Sequence, residues 1–202
     1  EAHSNLGIIL KDLGKLQDAE LSYRKAIELK PDYAEAHSNL GIILKDLGKL
    51  QEAELSTRKA IKIKSNFSEA HYNLANILKD LGKFEEAEKS HRKAIELKPY
   101  YLQAHYNLGN ILKDLGKFEE AEKSYRKAIE LNPDFADAHS NLGLILKDFG
   151  KLKEAEKSTR KAIELNPDFL EAHSNLGIML HDLGKFEEAE KSYRKAIELN
   201  PD

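Results

Sequence analysis

The stretch Ala2–Glu35, AHSNLGIILKDLGKLQDAELSYRKAIELKPDYAE, is followed directly at Ala36–Glu69 by AHSNLGIILKDLGKLQEAELSTRKAIKIKSNFSE. The dipeptide Ala-His then returns at Ala70, Ala104, Ala138 and Ala172, each step 34 residues long. Self-similarity at that period outranks every local signal, because a unit of this size is a supersecondary element whose apolar face only its neighbours can cover. No linker or low-complexity segment breaks the series. The 202 residues therefore read as a single domain of six units, near 1–33, 34–67, 68–101, 102–135, 136–169 and 170–202. The chain opens on Glu1 in mid-pattern and is two residues short of six whole copies. It reads as a piece excised from a longer protein, or as a design from one template.

Each copy divides into two helical halves. With Glu1 taken as position 2, the apolar or small residues of the first half stand at positions 3, 4, 7, 8, 11 and 14: Ala2, His3, Leu6, Gly7, Leu10 and Leu13. At about 100° per residue they fall on one stripe of an amphipathic helix. Gly14-Lys15 ends it, Gly being suited to the left-handed turn beyond a helix. A second helix is predicted from about Leu16 to Lys30, burying Leu16, Ala19, Tyr23, Ala26, Ile27 and Leu29. Ala19 and Ala26 are small enough to let helix axes approach closely. Pro31 stops the ladder. Asp32 with Glu35 is expected to form a capping box for the next helix, echoed by Asn66/Glu69, Asp134/Asp137 and Asp168/Glu171. Tyr100 cannot cap, which predicts a looser junction there. Pairs four apart, such as Glu122 and Arg126, suit a solvated outer face.

These residues resemble the tetratricopeptide repeat (TPR) pattern, W-x2-L-G-x2-Y followed by small Ala positions and Pro. The first copy supplies His3, Leu6, Gly7, Leu10, Ala19, Tyr23, Ala26 and Pro31. Departures are few. His stands at position 4 throughout, Ala75 replaces Gly, Ser65 replaces Pro, and position 24 is Thr57, His91 and Thr159 in three copies. The resemblance implies an all-α fold, an α-solenoid of six helix-turn-helix units wound into a right-handed superhelix, and a protein–protein interaction scaffold. The pattern is especially similar to the superhelical arrays of the O-linked N-acetylglucosamine transferase type, whose first helices line a concave groove and whose Asn side chains hold peptide backbones. TPR domains that clamp chaperone C-termini carry basic residues at positions 2 or 6. Here those positions are acidic or Gln, and Asn, which argues against that partner class.

The residues alone point to the same face. Position 6 is Asn in every copy: Asn5, Asn39, Asn73, Asn107, Asn141 and Asn175. Asn is a poor mid-helix residue, since its side chain competes with the backbone for hydrogen bonds. A carboxamide donates and accepts, so a row of them can pair with a peptide backbone whatever its side chains. Packed helices stand roughly 8–10 Å apart and an extended peptide advances about 3.3 Å per residue, so one Asn meets about every third ligand residue. The exposed acids of position 13, among them Asp46, Asp80, Asp114 and Asp148, lie on the same side of the helix, flanked by a Lys row at position 12. Two central copies differ from the rest, with Tyr72 and Tyr106 at position 5 and Asn76 and Asn110 at position 9. Tyr gives large contact area with few rotors, which makes the centre the expected anchor. Duplication would copy idle residues as faithfully, and Asn could serve packing between helices alone; both readings stand beside the ligand-binding one.

Composition removes other classes. Lys+Arg total 32 against 35 Asp+Glu, a formal charge of −3, without the basic excess of a nucleic-acid binder. With Cys 0 there is no disulfide framework, thiol nucleophile or Cys-bearing metal site. No apolar run nears the ~20 residues of a membrane span and no signal peptide is present, so no membrane partner and a cytoplasmic location are expected. Six of the eight His (His3, His37, His71, His105, His139, His173) sit one per copy on the buried stripe, too dispersed to converge on an ion. No nucleophile or phosphate-loop motif occurs. Catalytic residues, metal and cofactor are expected to be none. The expected partner is a protein or peptide, with head-to-tail self-association through uncapped end faces as the competing expectation.

Overall fold

A computed structural model describes residues 1–201. Within them twelve α-helices follow one another: α1 (Ala2–Asp12), α2 (Leu16–Leu29), α3 (Ala34–Asp46), α4 (Leu50–Ile63), α5 (Ser68–Asp80), α6 (Phe84–Leu97), α7 (Leu102–Asp114), α8 (Phe118–Leu131), α9 (Ala136–Asp148), α10 (Leu152–Leu165), α11 (Leu170–Asp182) and α12 (Phe186–Leu199). Every copy holds two. The chain gathers into two compact units, Glu1–Ala104 and from His105 onward. In the first, α1 packs on α2, α3 on α4 and α5 on α6, while α2 meets α3 and α4 meets α5. In the second, α9 packs on α10 and α11 on α12, while α8 meets α9 and α10 meets α11.

The turn inside each copy forms as its Gly requires. Lys15 N–H donates to the Leu10 carbonyl at 2.8 Å and Gly14 N–H to that of Lys11 at 2.9 Å. This wrap puts Gly14 at φ 71°, a conformation that side chains resist. The junction between copies differs from expectation. Asp32 is not the cap of α3; Tyr33 is, with no side-chain cap bond, and Phe67, Phe135 and Phe169 stand likewise before α5, α9 and α11. The turn Lys30–Tyr33 closes through its own backbone, Tyr33 N–H to the Lys30 carbonyl at 3.1 Å. Glu35 is diverted from capping to an ion pair with Lys64 at 3.0 Å.

Burial follows the neighbour rule. Tyr23 and Ala19 of α2 share one apolar cluster with Leu40, Ile43 and Leu44 of α3, with Ile27 packed against it. In the other unit Leu176, Leu180 and Ala189 join α11 to α12, with Ile163 of α10 against them. Leu6 and Leu13 are exposed, although their counterparts Leu40 and Leu47 are covered, because no helix packs on that side of α1. Leu29 is exposed too, against the expectation that it is buried. The position-4 histidines bind backbone: Nε2 of His37, His71, His139 and His173 lies 2.8–3.0 Å from the carbonyl oxygens of Pro31, Ser65, Pro133 and Pro167.

The charged outer face is more than solvated. Glu20 pairs with Arg24 one turn on and with Lys49 in the next copy, both at 2.8 Å. Glu54 (Arg58, Lys83), Glu122 (Arg126, Lys151) and Glu156 (Arg160, Lys185) repeat the arrangement. The Lys49 ammonium, opposed by burial and helped by Arg24, holds the Glu20 carboxyl below the usual range.

Position 8 meets position 24 where the two helices of a copy cross. A Cβ added to Gly109 would lie 2.6 Å from Tyr125 Cε1, so Tyr at 24 demands Gly at 8. The third copy carries Ala75 with the smaller His91 instead. His91→Tyr alone should therefore destabilise by about 1–3 kcal/mol through overpacking. Adding Ala75→Gly, which rebuilds the Gly109–Tyr125 pair, should recover most of that loss in urea denaturation; additive losses would refute the coupling. His91 is fully buried and its ring nitrogens meet no hydrogen-bonding group of the protein. Burial, aided by the Lys79 charge, holds its pKa down to about 3. The unfolded chain takes that proton near ~6.5, so stability present above ~6.5 is lost as pH falls towards 3. Between neutral pH and about pH 4 the melting temperature of His91→Leu should fall less than that of the parent chain.

Candidate functional site

Positions 5, 6, 9, 12 and 13 of each first helix share a face opposite the ion-paired second helices. In the unit Glu1–Ala104, Asn39 and Asn73 are half-buried and Asn5 is exposed. Burial, aided by the Asp12 charge, raises the pKa of the Tyr23 hydroxyl, and the neighbouring Asn39 side chain works against that rise. Asn73 Nδ2 donates to Ser38 Oγ of the preceding first helix at 3.1 Å. In the unit from His105, Asn107, Asn141 and Asn175 are half-buried. Asn141 Nδ2 donates to Tyr106 Oη and to Asn110 Oδ1, both at 3.1 Å. Tyr125 Oη, arriving from α8, donates to the same Asn110 Oδ1 at 2.9 Å.

The row thus stands in file within each unit, one carboxamide per copy, and part of its capacity is spent on neighbouring helices. Both bonds from Asn141 use Nδ2, which leaves its Oδ1 as the group available to an outside donor. Asn73 keeps one N–H and its Oδ1.

The central tyrosines are wedges rather than free projections. Tyr72 is half-buried and packs on Tyr101 with centroids 4.9 Å apart. Tyr106 packs on Phe135 at 4.7 Å and on Tyr125 at 6.0 Å. Burial raises the Tyr106 hydroxyl above its ordinary pKa and pushes that of Tyr125 up as well, so both stay protonated donors at neutral pH. Asn76 and Asn110 are half-buried beside them. Asp46, Asp80, Asp114 and Asp148 are exposed at the rim. Lys45 reaches Asp80 at 3.3 Å and Lys147 reaches Asp148 at 3.7 Å, so the two rows partly neutralise each other. Among the described residues no three His, Asp or Glu converge as a metal site requires.

Tyr23, Tyr125 and Ser38 complete the site and were not among its expected members. The signal for the tyrosines lay in the Gly at position 8, which lets a buried position-24 ring cross its own first helix, as Tyr125 does over Gly109 to reach Asn110.

Models of the tetratricopeptide repeat match residues 34–67, 68–101, 92–123, 136–169 and 170–202, and a TPR repeat model matches 7–48 and 109–150. The chain belongs to the tetratricopeptide repeat family. No curated protein sequence matches it significantly. Among solved structures, this TPR chain is similar to YrrB, described as a TPR protein with an unusual peptide-binding site. YrrB is 27% identical over 89% of this chain and 93% of its own, with a TM-score of 0.77. MamA is 27% identical over 80% of this chain and 95% of its own, with a TM-score of 0.76. PilF of Pseudomonas aeruginosa shares the fold at 20% identity over 99% and 91%, with a TM-score of 0.88.

Tyr125→Phe removes one of the two donors on Asn110 Oδ1 while keeping the ring over Gly109. The TPR array should lose about 0.5–1.5 kcal/mol in chemical denaturation with helicity unchanged.

Proposed function

We propose that this chain is a non-catalytic protein-interaction scaffold that holds an extended peptide against its first helices through the backbone of the ligand. The observation that carries the reading is the Asn row: one half-buried carboxamide per copy from Asn39 to Asn175, at helix positions where propensity disfavours Asn. Within the second unit Asn141 Oδ1 offers an acceptor for a peptide N–H, fixed in place by Tyr106 and Asn110. Within the first, Asn73 offers both a donor and an acceptor. A row of neutral carboxamides suits a repeating main chain better than any one side chain. Tyr72 and Tyr106 add apolar area at the central copies, and Asp46, Asp80, Asp114 and Asp148 line the rim. YrrB, similar along most of this chain, is described as having a peptide-binding site, which supports the same ligand class here. The acting form is expected in the cytoplasm, with no nucleic-acid, membrane or cofactor partner.

An array-displayed peptide library should yield extended ligands with weak side-chain preference. Asn73→Ala combined with Asn141→Ala should then weaken a selected peptide by about tenfold, the worth of one or two hydrogen bonds. Ser38→Ala separates the roles, since it removes the internal partner of Asn73 and leaves the amide in place. Binding by Ser38→Ala should match the parent chain. Loss of binding equal to that of the Asn variants, or no ligand in the library, would make the row a packing device. A second reading, end-to-end association without a peptide, is favoured by the exposed apolar residues of α1 and α12.

A further inference from the structure

On the outer side, where ion pairs join one second helix to the next, grooves open between the helices. The groove between α4 and α6 has a volume of about 370 Å³, and Ile61, Leu74 and the His71 ring give it an apolar lining. Arg58, Lys62, Lys89 and Lys93 stand around them, and no acid lines it. The groove between α10 and α12, of about 400 Å³, is built from the same residue types three periods on. One position differs: Glu164 stands there in the place of Lys62. The two grooves share their walls and are opposite in charge at a single point.

In every other copy the counterpart of Lys62 is acidic: Glu28, Glu96, Glu130, Glu164 and Glu198. Such an acid pairs with the Lys three residues before it, as Glu28 does with Lys25 at 2.8 Å and Glu164 with Lys161 at 2.7 Å. Lys62 removes that acid, and Lys59 then has no ion pair with a described residue. Arg58 and Lys93 are engaged, with Glu86 and Glu96, both at 2.6 Å. Lys62 and Lys89 are exposed and hold no ion pair to a described residue. The helix dipole favours a cation in the last turn of α4. Yet the same turn carries Glu in the other copies, so helix stability alone does not select Lys62.

We propose that the α4–α6 groove binds a short acidic segment of another protein. One large apolar side chain of the segment sits on Ile61, His71 and Leu74, and flanking carboxylates meet Lys62 and Lys89. The volume lies at the small end of ligand cavities, which run ~300–1,000 Å³, and so suits a single anchor. An ammonium is a point charge that needs no forked partner, which matches carboxylates on flexible side chains. The groove between α2 and α4 is lined by Glu28 and Glu52. A nucleic acid or an anionic membrane spread along the second helices would meet those acids as well, which disfavours both. The site lies on the face opposite the Asn row, so the inference goes beyond the peptide-binding reading and does not rest on it.

The probe is a fluorescent peptide of alternating Asp and Glu around one central Phe, titrated with the 202-residue chain and followed by anisotropy. It should bind in a single equivalent. Lys62→Glu, at an exposed position where it restores a partner for Lys59, should weaken binding about tenfold with helicity unchanged. Exchanging the Phe of the probe for Ala should weaken it by about as much. Lys157→Glu, the same charge change on α10, should bind as the parent chain does. Glu164→Lys should add a second equivalent, since it gives the α10–α12 groove the lining of its counterpart. A probe that does not bind, binding untouched by Lys62→Glu or by loss of the Phe, or no second equivalent with Glu164→Lys would overturn the proposal. So would tighter binding of an oligonucleotide or of phosphatidylserine vesicles at the same residues. Asn73→Ala combined with Asn141→Ala should leave this probe bound, which keeps a failure here distinct from a failure of the Asn-row reading.

Discussion

No helix pair in this chain can close its own core. The constraint is geometric: Ala19, Tyr23 and Ile27 of a second helix meet Leu10 of their own first helix on one side and need Leu40, Ile43 and Leu44 of the next first helix to cover the other. Stability therefore accumulates by contact between nearest neighbours, as in other stacked repeats. The need for close approach explains the small residues. Ala19, Ala53, Ala87, Ala121 and Ala155 are completely buried where second helices meet first helices. Where position 8 is Gly, a Tyr or Thr fits against the bare backbone; where it is Ala75, His91 is the accommodated partner.

Onto that apolar contact the outer face adds an ionic lattice that is weak per bond but strict in register. Each exposed pair contributes little on its own, by roughly 0–1 kcal/mol. Together, Glu–Arg bonds within a helix and Glu–Lys bonds to the next copy fix how far one second helix slides along another. The opposite face is neutral by comparison, its Lys and Asp rows interleaved and its Asn row hydrogen-bonded to neighbouring first helices.

Much of this was legible in the residues before any geometry. The 34-residue spacing gave the helix pairs to within one residue, and Gly14 announced the turn that Lys15 and Leu10 close. What escaped was whatever depends on a neighbouring copy. Asp32 looked like a cap because Glu35 follows at capping distance, yet Lys64, 29 residues away, claims that carboxylate. The Asn row was visible as a pattern, but its orientation was not. Only packing reveals that Asn73 leans on Ser38, or that Tyr125 threads past Gly109 to reach Asn110. Leu29 and Leu6 were assigned to the interior by a periodicity that knows nothing of which copy comes first.

The bonds from Arg24 to Glu52 and from Lys49 to Glu20 span 28 and 29 residues, a little less than one period. An insertion or deletion of a few residues inside a copy would throw every later charge out of step with its partner. Gain or loss of an entire period would leave each surviving bond intact. The tolerated currency of length change in such a gene is thus the whole module, and unequal recombination between copies can shorten or lengthen the array without a folding penalty at the seam.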